Sequence, residues 1–153
     1  MKRLTSILFF LLLLAFVGCG RKSSVLQPIG CKANSTFEGT WKLNAYQNLS
    51  DGTLQPDPDP DGHGVVLSFA EDGKSVSFKG HTVANAVSGS FIKDGSCNLA
   101  NSVFGGTKVG EPTQWSNKVW SAMNSVVSYG QNEESLFIYF NDRTEVMIFS
   151  KVK

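Results

Sequence analysis

The stretch "GVVLSFAEDGKSVSFKG", residues 64–80, decides the fold. Val65, Leu67 and Phe69 alternate with smaller or polar neighbours, and Val76 and Phe78 repeat that two-residue period on the return. Successive strand side chains point to opposite faces, so each half presents one apolar face. Asp72-Gly73 between them suits a type I′ turn, which needs positive φ. The segment therefore predicts an antiparallel hairpin.

Working outward, "FEGTWKLNAY" (37–46) offers Phe37, Trp41, Leu43 and Ala45 to one face of a first strand. Downstream, "NAVSGSFIK" (85–93) turns at Asp94-Gly95 into "SCNLANSVF" (96–104). Sequential strands joined by short turns make a meander. One segment breaks the rhythm: Trp115, Val119, Met123, Val126 and Val127 recur at helical spacing, with Thr113 to cap the start and Gly130 the end. These mark an amphipathic helix over about 113–128. "SLFIYF" and "TEVMIFSKV" then flank "NDR" as a last hairpin, apolar on both faces and so expected centrally, covered on both sides. The expected fold class is mainly β (α+β): an antiparallel meander forming a small open barrel or strongly curved sheet, with one amphipathic helix before the last hairpin.

At the N-terminus, Lys2 and Arg3 precede an apolar run of eleven residues, Ile7 to Val17. That length suits a signal-peptide core and falls short of the about 20 residues a spanning helix needs. The run ends in "FVGC", with small Gly18 before Cys19. This resembles the lipobox of bacterial lipoproteins, which implies cleavage before Cys19 and a diacylglycerol on its thiol; an ordinary signal peptide followed by a cysteine is the plainer alternative. Two or three acyl chains anchor stably where one is marginal. Gly20, not Asp, follows the cysteine, so the resemblance implies no inner-membrane retention signal and points to the outer membrane. The expected organisation is a signal peptide (1–18), the lipidated cysteine with a flexible tether (19–35), and a β domain (36–153).

Removing residues 1–18 leaves 135 residues, enough for one domain with a normal core. It also lowers Lys+Arg from 14 to 12 against 13 Asp+Glu, moving the net charge from +1 to −1. A near-neutral chain without a basic run carries no footprint for nucleic acid. Cys31 and Cys97 remain, in a compartment where disulfides persist. A bridge between them and a pair of buried thiols are both compatible with the sequence.

"DPDPDGHG" (57–64) places Asp57, Asp59 and Asp61 at the first ligand positions of an EF-hand loop, with Gly62 at the turn. Position 12 is Ser68, where a bidentate Glu is required, and Pro56, Pro58 and Pro60 are foreign to such a loop. The stretch reads as an exposed acidic connection; a weaker calcium site using the three aspartates stays open. Catalytic machinery is scarce. His63 and His81 are the two histidines, and the pairs Glu71-Asp72 and Glu133-Glu134 fall at turns. No nucleophile, base and orienter assemble, so no enzyme activity and no cofactor are expected.

"FEGTWKL", "GHTVANAVSGSFIKDG", "GGTKVGEP" and the final "WSAMNSVVSYGQNEESLFIYFNDRTEVMIF" resemble, in that order, the META domain family of HslJ-like bacterial lipoproteins, over roughly residues 36–151. Gly39, Trp41, Asn85, Ser88, Gly89, Thr107 and Lys108 are the positions that carry it. Ala84 stands before Asn85, and Gly110 or Glu111 takes a second cysteine's place, so the family's usual cysteine pairing has no counterpart here. The resemblance implies a lipid-anchored, non-catalytic envelope domain with an interaction, structural or stress-related role. "GTW" (39–41) is also similar to the Gly-x-Trp opening of lipocalins, which implies the alternative of a β-barrel carrier for a small apolar ligand. The membrane, through Cys19, is the expected partner, with a protein partner or ligand unidentified.

Overall fold

A computed structural model describes residues 36–153; the signal peptide, Cys19, the tether and Cys31 lie outside the described residues. Among the described residues, nine strands form one antiparallel sheet: β1 (Gly39–Asn48), β2 (Leu54–Pro56), β3 (Val66–Asp72), β4 (Ser75–His81), β5 (Ala86–Lys93), β6 (Leu99–Gly106), β7 (Val126–Gln131), β8 (Ser135–Phe140) and β9 (Glu145–Lys151). Helix α1 (Gln114–Asn124) precedes β7. The predicted hairpin forms as β3–β4, with Phe69 opposite Phe78 and Gly73 at φ 59° in the turn.

The sheet order is β6-β5-β4-β3-β1-β9-β8-β7, with β2 paired to β1 off this path. The first strand pairs with the last along its whole length, Trp41 opposite Lys151 through Asn48 opposite Glu145. That pairing curls two meanders into one nearly closed barrel, as expected for the class. The seam between β6 and β7 is crossed by an isolated bridge, Asn98 to Ser128. Closing edges in this way removes unpaired backbone that would otherwise template aggregation.

The interior is aromatic. Phe37 packs on Phe91 with centroids 5.1 Å apart, Phe91 on Phe78 at 5.5 Å, Phe78 on Phe104 at 6.0 Å, and Phe104 on Trp120 of the helix at 5.0 Å. Each tilted or stacked pair adds about 1 kcal/mol beyond its area burial. Trp41 is fully buried, and its indole N–H donates to the Phe37 carbonyl at 2.8 Å, which answers the only polar atom on the ring.

The helix starts as the sequence predicts, with Thr113 Oγ1 accepting from the Ser116 N–H at 3.0 Å. It ends four residues earlier than expected, at Asn124, where the Ser125 N–H bonds to the Ala122 carbonyl. Val126 and Val127 belong to β7, and Gly130 pairs with Phe137 instead of capping the helix. The helix lies on the inner side of the sheet: Val119, Ala122 and Met123 join the core, and Lys118 sits over the Tyr46 and Phe140 rings. Among the described residues, no helix is long and apolar enough to cross a membrane.

Candidate functional site

The site grows from the turn after β4. Thr82 and Asn85 are buried polar residues, and they hold each other: the Thr82 N–H donates to the Asn85 carbonyl at 2.8 Å, and the Asn85 N–H to Thr82 Oγ1 at 3.0 Å. The turn leaves the Asn85 side chain pointing at the segment that follows β6. Its Oδ1 accepts from Thr107 Oγ1 at 3.0 Å and from the Val109 N–H at 2.7 Å. Its Nδ2 donates to the Val109 carbonyl at 2.8 Å and to Glu111 Oε1 at 2.6 Å. A carboxamide has two N–H donors and two lone pairs, and all four are used.

Glu111 completes the arrangement. The same Oε1 accepts from Thr82 Oγ1 and, at 3.4 Å, from Trp120 Nε1 of the helix. Burial works against its charge, but the hydrogen bonds from Thr82, Asn85 and Trp120 outweigh it and hold the carboxyl below the usual carboxylate range. Its second oxygen, Oε2, is buried and makes no hydrogen bond. A shallow cleft of about 270 Å³ lies above, between residues 107–111 and the helix residues Asn117 and Trp120. Lys108 and Val109 face solvent on its rim, Val109 with 61% of its surface exposed.

Of the family-motif positions, the structure therefore brings together Asn85, Thr107 and Lys108. Ser88 is exposed on β5, away from them. Gly89 answers a different need: a Cβ there would stand 2.0 Å from the Val103 carbonyl and 2.4 Å from the Phe78 ring, so the residue allows β4, β5 and β6 to pack closely. Gly39 and Trp41 open β1 near Lys151, whose ammonium lies 5.5 Å from the Trp41 ring centre. Glu111 was not singled out by sequence reasoning as a site residue. The signal for it is slight, a lone acid two residues before the helix cap, because its partners sit 26 and 29 residues away in the chain.

The acidic loop is organised from within. Asp57 Oδ1 accepts from the Asp59 N–H at 3.0 Å, and the Lys42 ammonium donates to the Pro60 carbonyl at 2.6 Å and the Gly62 carbonyl at 3.2 Å. Lys42 thus places a positive charge on the backbone oxygens that a calcium ion would need. Among the described residues, no three His, Cys, Asp or Glu side chains gather at metal-binding distance. His63 stacks on His81 with centroids 3.9 Å apart, and His81 Nδ1 donates to the Thr82 carbonyl at 3.1 Å, so its bond goes to backbone and not to a carboxylate. Cys97 is buried beside the edge of β7 and disulfide-bonded, its carbonyl accepting from the Tyr129 N–H at 3.0 Å. Cys19 and Cys31 lie outside the described residues.

No protein-family model and no curated protein matches the chain. Solved structures similar in fold include two bacterial proteins. One is an NMR structure of a protein from Burkholderia xenovorans, with a TM-score of 0.63 and 19% identity, covering 83% of this chain and 91% of that one. The other is a crystal structure of a DUF4847 family protein from Bacteroides vulgatus, with a TM-score of 0.54 and 20% identity, covering 76% of this chain and 94% of that one. At such identities the likeness is one of fold.

Proposed function

We propose that this chain is a lipid-anchored lipoprotein of the bacterial envelope, most simply of the outer membrane, whose META/HslJ-like β domain does non-catalytic interaction work through the cleft beside residues 107–111. The observation that carries the contact face is the contrast within that loop. Thr107, Lys108 and Val109 are exposed, while a single buried carboxamide, Asn85, holds the Val109 backbone with two hydrogen bonds and the Thr107 and Glu111 side chains with two more. An exposed segment held this firmly binds a partner at a small ordering cost. The motif resemblance, and the charged start, apolar run and small residue before Cys19, support the envelope anchor. The carrier alternative needs interior space where Phe37, Phe69, Phe78 and Phe91 are packed.

Metabolic labelling with palmitate tests the anchor on the whole chain. Wild type takes up label and fractionates with outer membranes, and Cys19→Ala takes up none. Equal labelling of the two would sink the proposal.

A further inference from the structure

The chain contains four Asp-Gly links, at 51–52, 61–62, 72–73 and 94–95. Such a link is prone to imide closure, because glycine has no Cβ to keep its amide nitrogen from the preceding carboxyl carbon. What holds the two groups apart differs from link to link. The Asp94 carboxylate accepts from the Ser96 N–H, the Asn98 N–H and Asn98 Nδ2, at 2.9, 2.9 and 3.0 Å. Asp51 Oδ1 accepts from the Thr53 N–H at 2.8 Å, and the Gly52 N–H donates to the Asn48 carbonyl at 2.9 Å. The Gly62 N–H donates to the Asp59 carbonyl at 3.0 Å, and a Cβ on Gly62 would stand 2.1 Å from the Asp59 carboxylate. Asp72-Gly73 is unlike the other three. Among the described residues, neither the Asp72 carboxylate nor the Gly73 N–H has a hydrogen-bond partner. Both residues are exposed, and a Cβ on Gly73 would meet nothing within 4 Å.

We propose that Asp72-Gly73 is a site of spontaneous isoaspartate formation, and that the rearranged link releases Glu71 from Phe37 and Lys93. The Gly73 nitrogen forms a bond to Cγ of the protonated Asp72 carboxyl. Its proton and the carboxyl hydroxyl leave as water, and a cyclic imide closes. Water then opens the ring at either carbonyl. Attack at Cγ restores aspartate; attack at the main-chain carbonyl leaves the chain running through the Asp72 side chain, one methylene longer, with the α-carboxyl as the free acid. The water lost in the first step returns in the second, and nothing is oxidised or reduced. On the far side of the turn, the Lys93 N–H holds the Lys74 carbonyl at 2.8 Å, and Val76 and Phe78 are fixed in the core. The added length therefore falls on the β3 side, at Glu71, opposite Val76. A change of register there moves side chains away from their partners. Glu71 Oε1 accepts from the Phe37 N–H at 2.5 Å, and Oε2 from the Lys93 ammonium. These bonds fasten Phe37, the first buried residue of the described domain, to β3. The link thus records the age of the molecule where the chain enters the domain.

Ageing the purified full chain in detergent, in mildly acidic water enriched in oxygen-18, tests this, because each passage through the imide takes one oxygen from the solvent. Fragmentation mass spectrometry locates the label. Each hydrogen bond that must open first slows closure by about fivefold. Asp72 should therefore take up label about fivefold faster than Asp61, and faster still than Asp51 and Asp94. Label at Asp72 that only keeps pace with the other three, or none, overturns the site. In the isoaspartate fraction, hydrogen exchange at the Phe37 amide should rise about fivefold or more, as for the loss of one hydrogen bond. Asp72→Glu keeps the charge but must close a larger ring, which is slow; on ageing it should show neither label at that position nor faster exchange at Phe37. Faster exchange in the aged variant as well, or label at Asp72 with Phe37 unchanged, overturns the release of Glu71.

Discussion

The side chain of Asn85 and the backbone of Val109 exchange two hydrogen bonds, Nδ2 to the carbonyl at 2.8 Å and the N–H to Oδ1 at 2.7 Å, across 24 residues of chain. The carboxamide thus stands in for a neighbouring strand at a point where the sheet has ended. A loop that would otherwise swing on Gly106 and Gly110 acquires one position.

Asn85→Ala removes both bonds together with those to Thr107 and Glu111, leaving buried groups unanswered. An unpartnered buried group costs about 1–3 kcal/mol, so a loss of about 3 kcal/mol is expected. Urea unfolding measures it. Hydrogen exchange should show residues 107–111 released first.

Glu111 makes stability depend on acid. Its folded carboxyl lies below the ordinary value of 4.5, so its contribution is fully present above that value and is lost as pH falls through the lower, folded one. Thr82→Val takes away one donor and should flatten this acid slope. Denaturation followed between about pH 5 and pH 2 reads the difference.

Tyr46 sets the alkaline limit. Burial, then the charges of Glu111, Glu145 and Asp57, push its phenol far above the ordinary 10.0, so the unfolded chain ionises where the folded one does not. Stability that is constant below pH 10 should therefore decline above it. The hydroxyl is buried without a hydrogen bond, so Tyr46→Phe should gain about 1 kcal/mol at neutral pH and lose the alkaline decline. Thermal unfolding at pH 7 and above pH 10 checks both.

Non-reducing peptide mapping should recover a Cys31–Cys97 linked pair. Closing a loop of about 66 residues restricts the unfolded chain by about 4 kcal/mol in the chain-entropy account. Cys31→Ser should lower the unfolding midpoint accordingly, and an unchanged midpoint would count against that pairing.

Calorimetric titration with millimolar calcium should give no heat, because a divalent ion in the 57–62 loop must displace the Lys42 ammonium from the Pro60 and Gly62 carbonyls. Heat abolished by Asp59→Ala would assign the loop a binding role.

Much of the fold was legible because it rests on local pattern. The two-residue period of 64–80 and the Thr113 cap each act within a few residues and form where they were read. The turn sits one residue further on, at Gly73-Lys74 between the paired Asp72 and Ser75, with positive φ at Gly73 alone and so not of type I′. The end of the helix was not legible. Met123, Val126 and Val127 fit a helical stripe as well as a strand, and what decides between them is β8, whose Ile138 lies opposite Tyr129 and whose Phe140 lies opposite Val126. A strand is stable only against a partner, so its existence is a non-local fact. The same holds for the site. Sequence by itself marked Asn85, Thr107 and Lys108 through a family pattern, and it determined the class of the domain through periodicity. Only the tertiary structure, by pairing β1 with β9 and laying the helix under the open seam, decided that Asn85 meets Glu111 and Trp120. Buried donors and acceptors must be answered wherever the fold brings them, and that requirement acts through space, not along the chain.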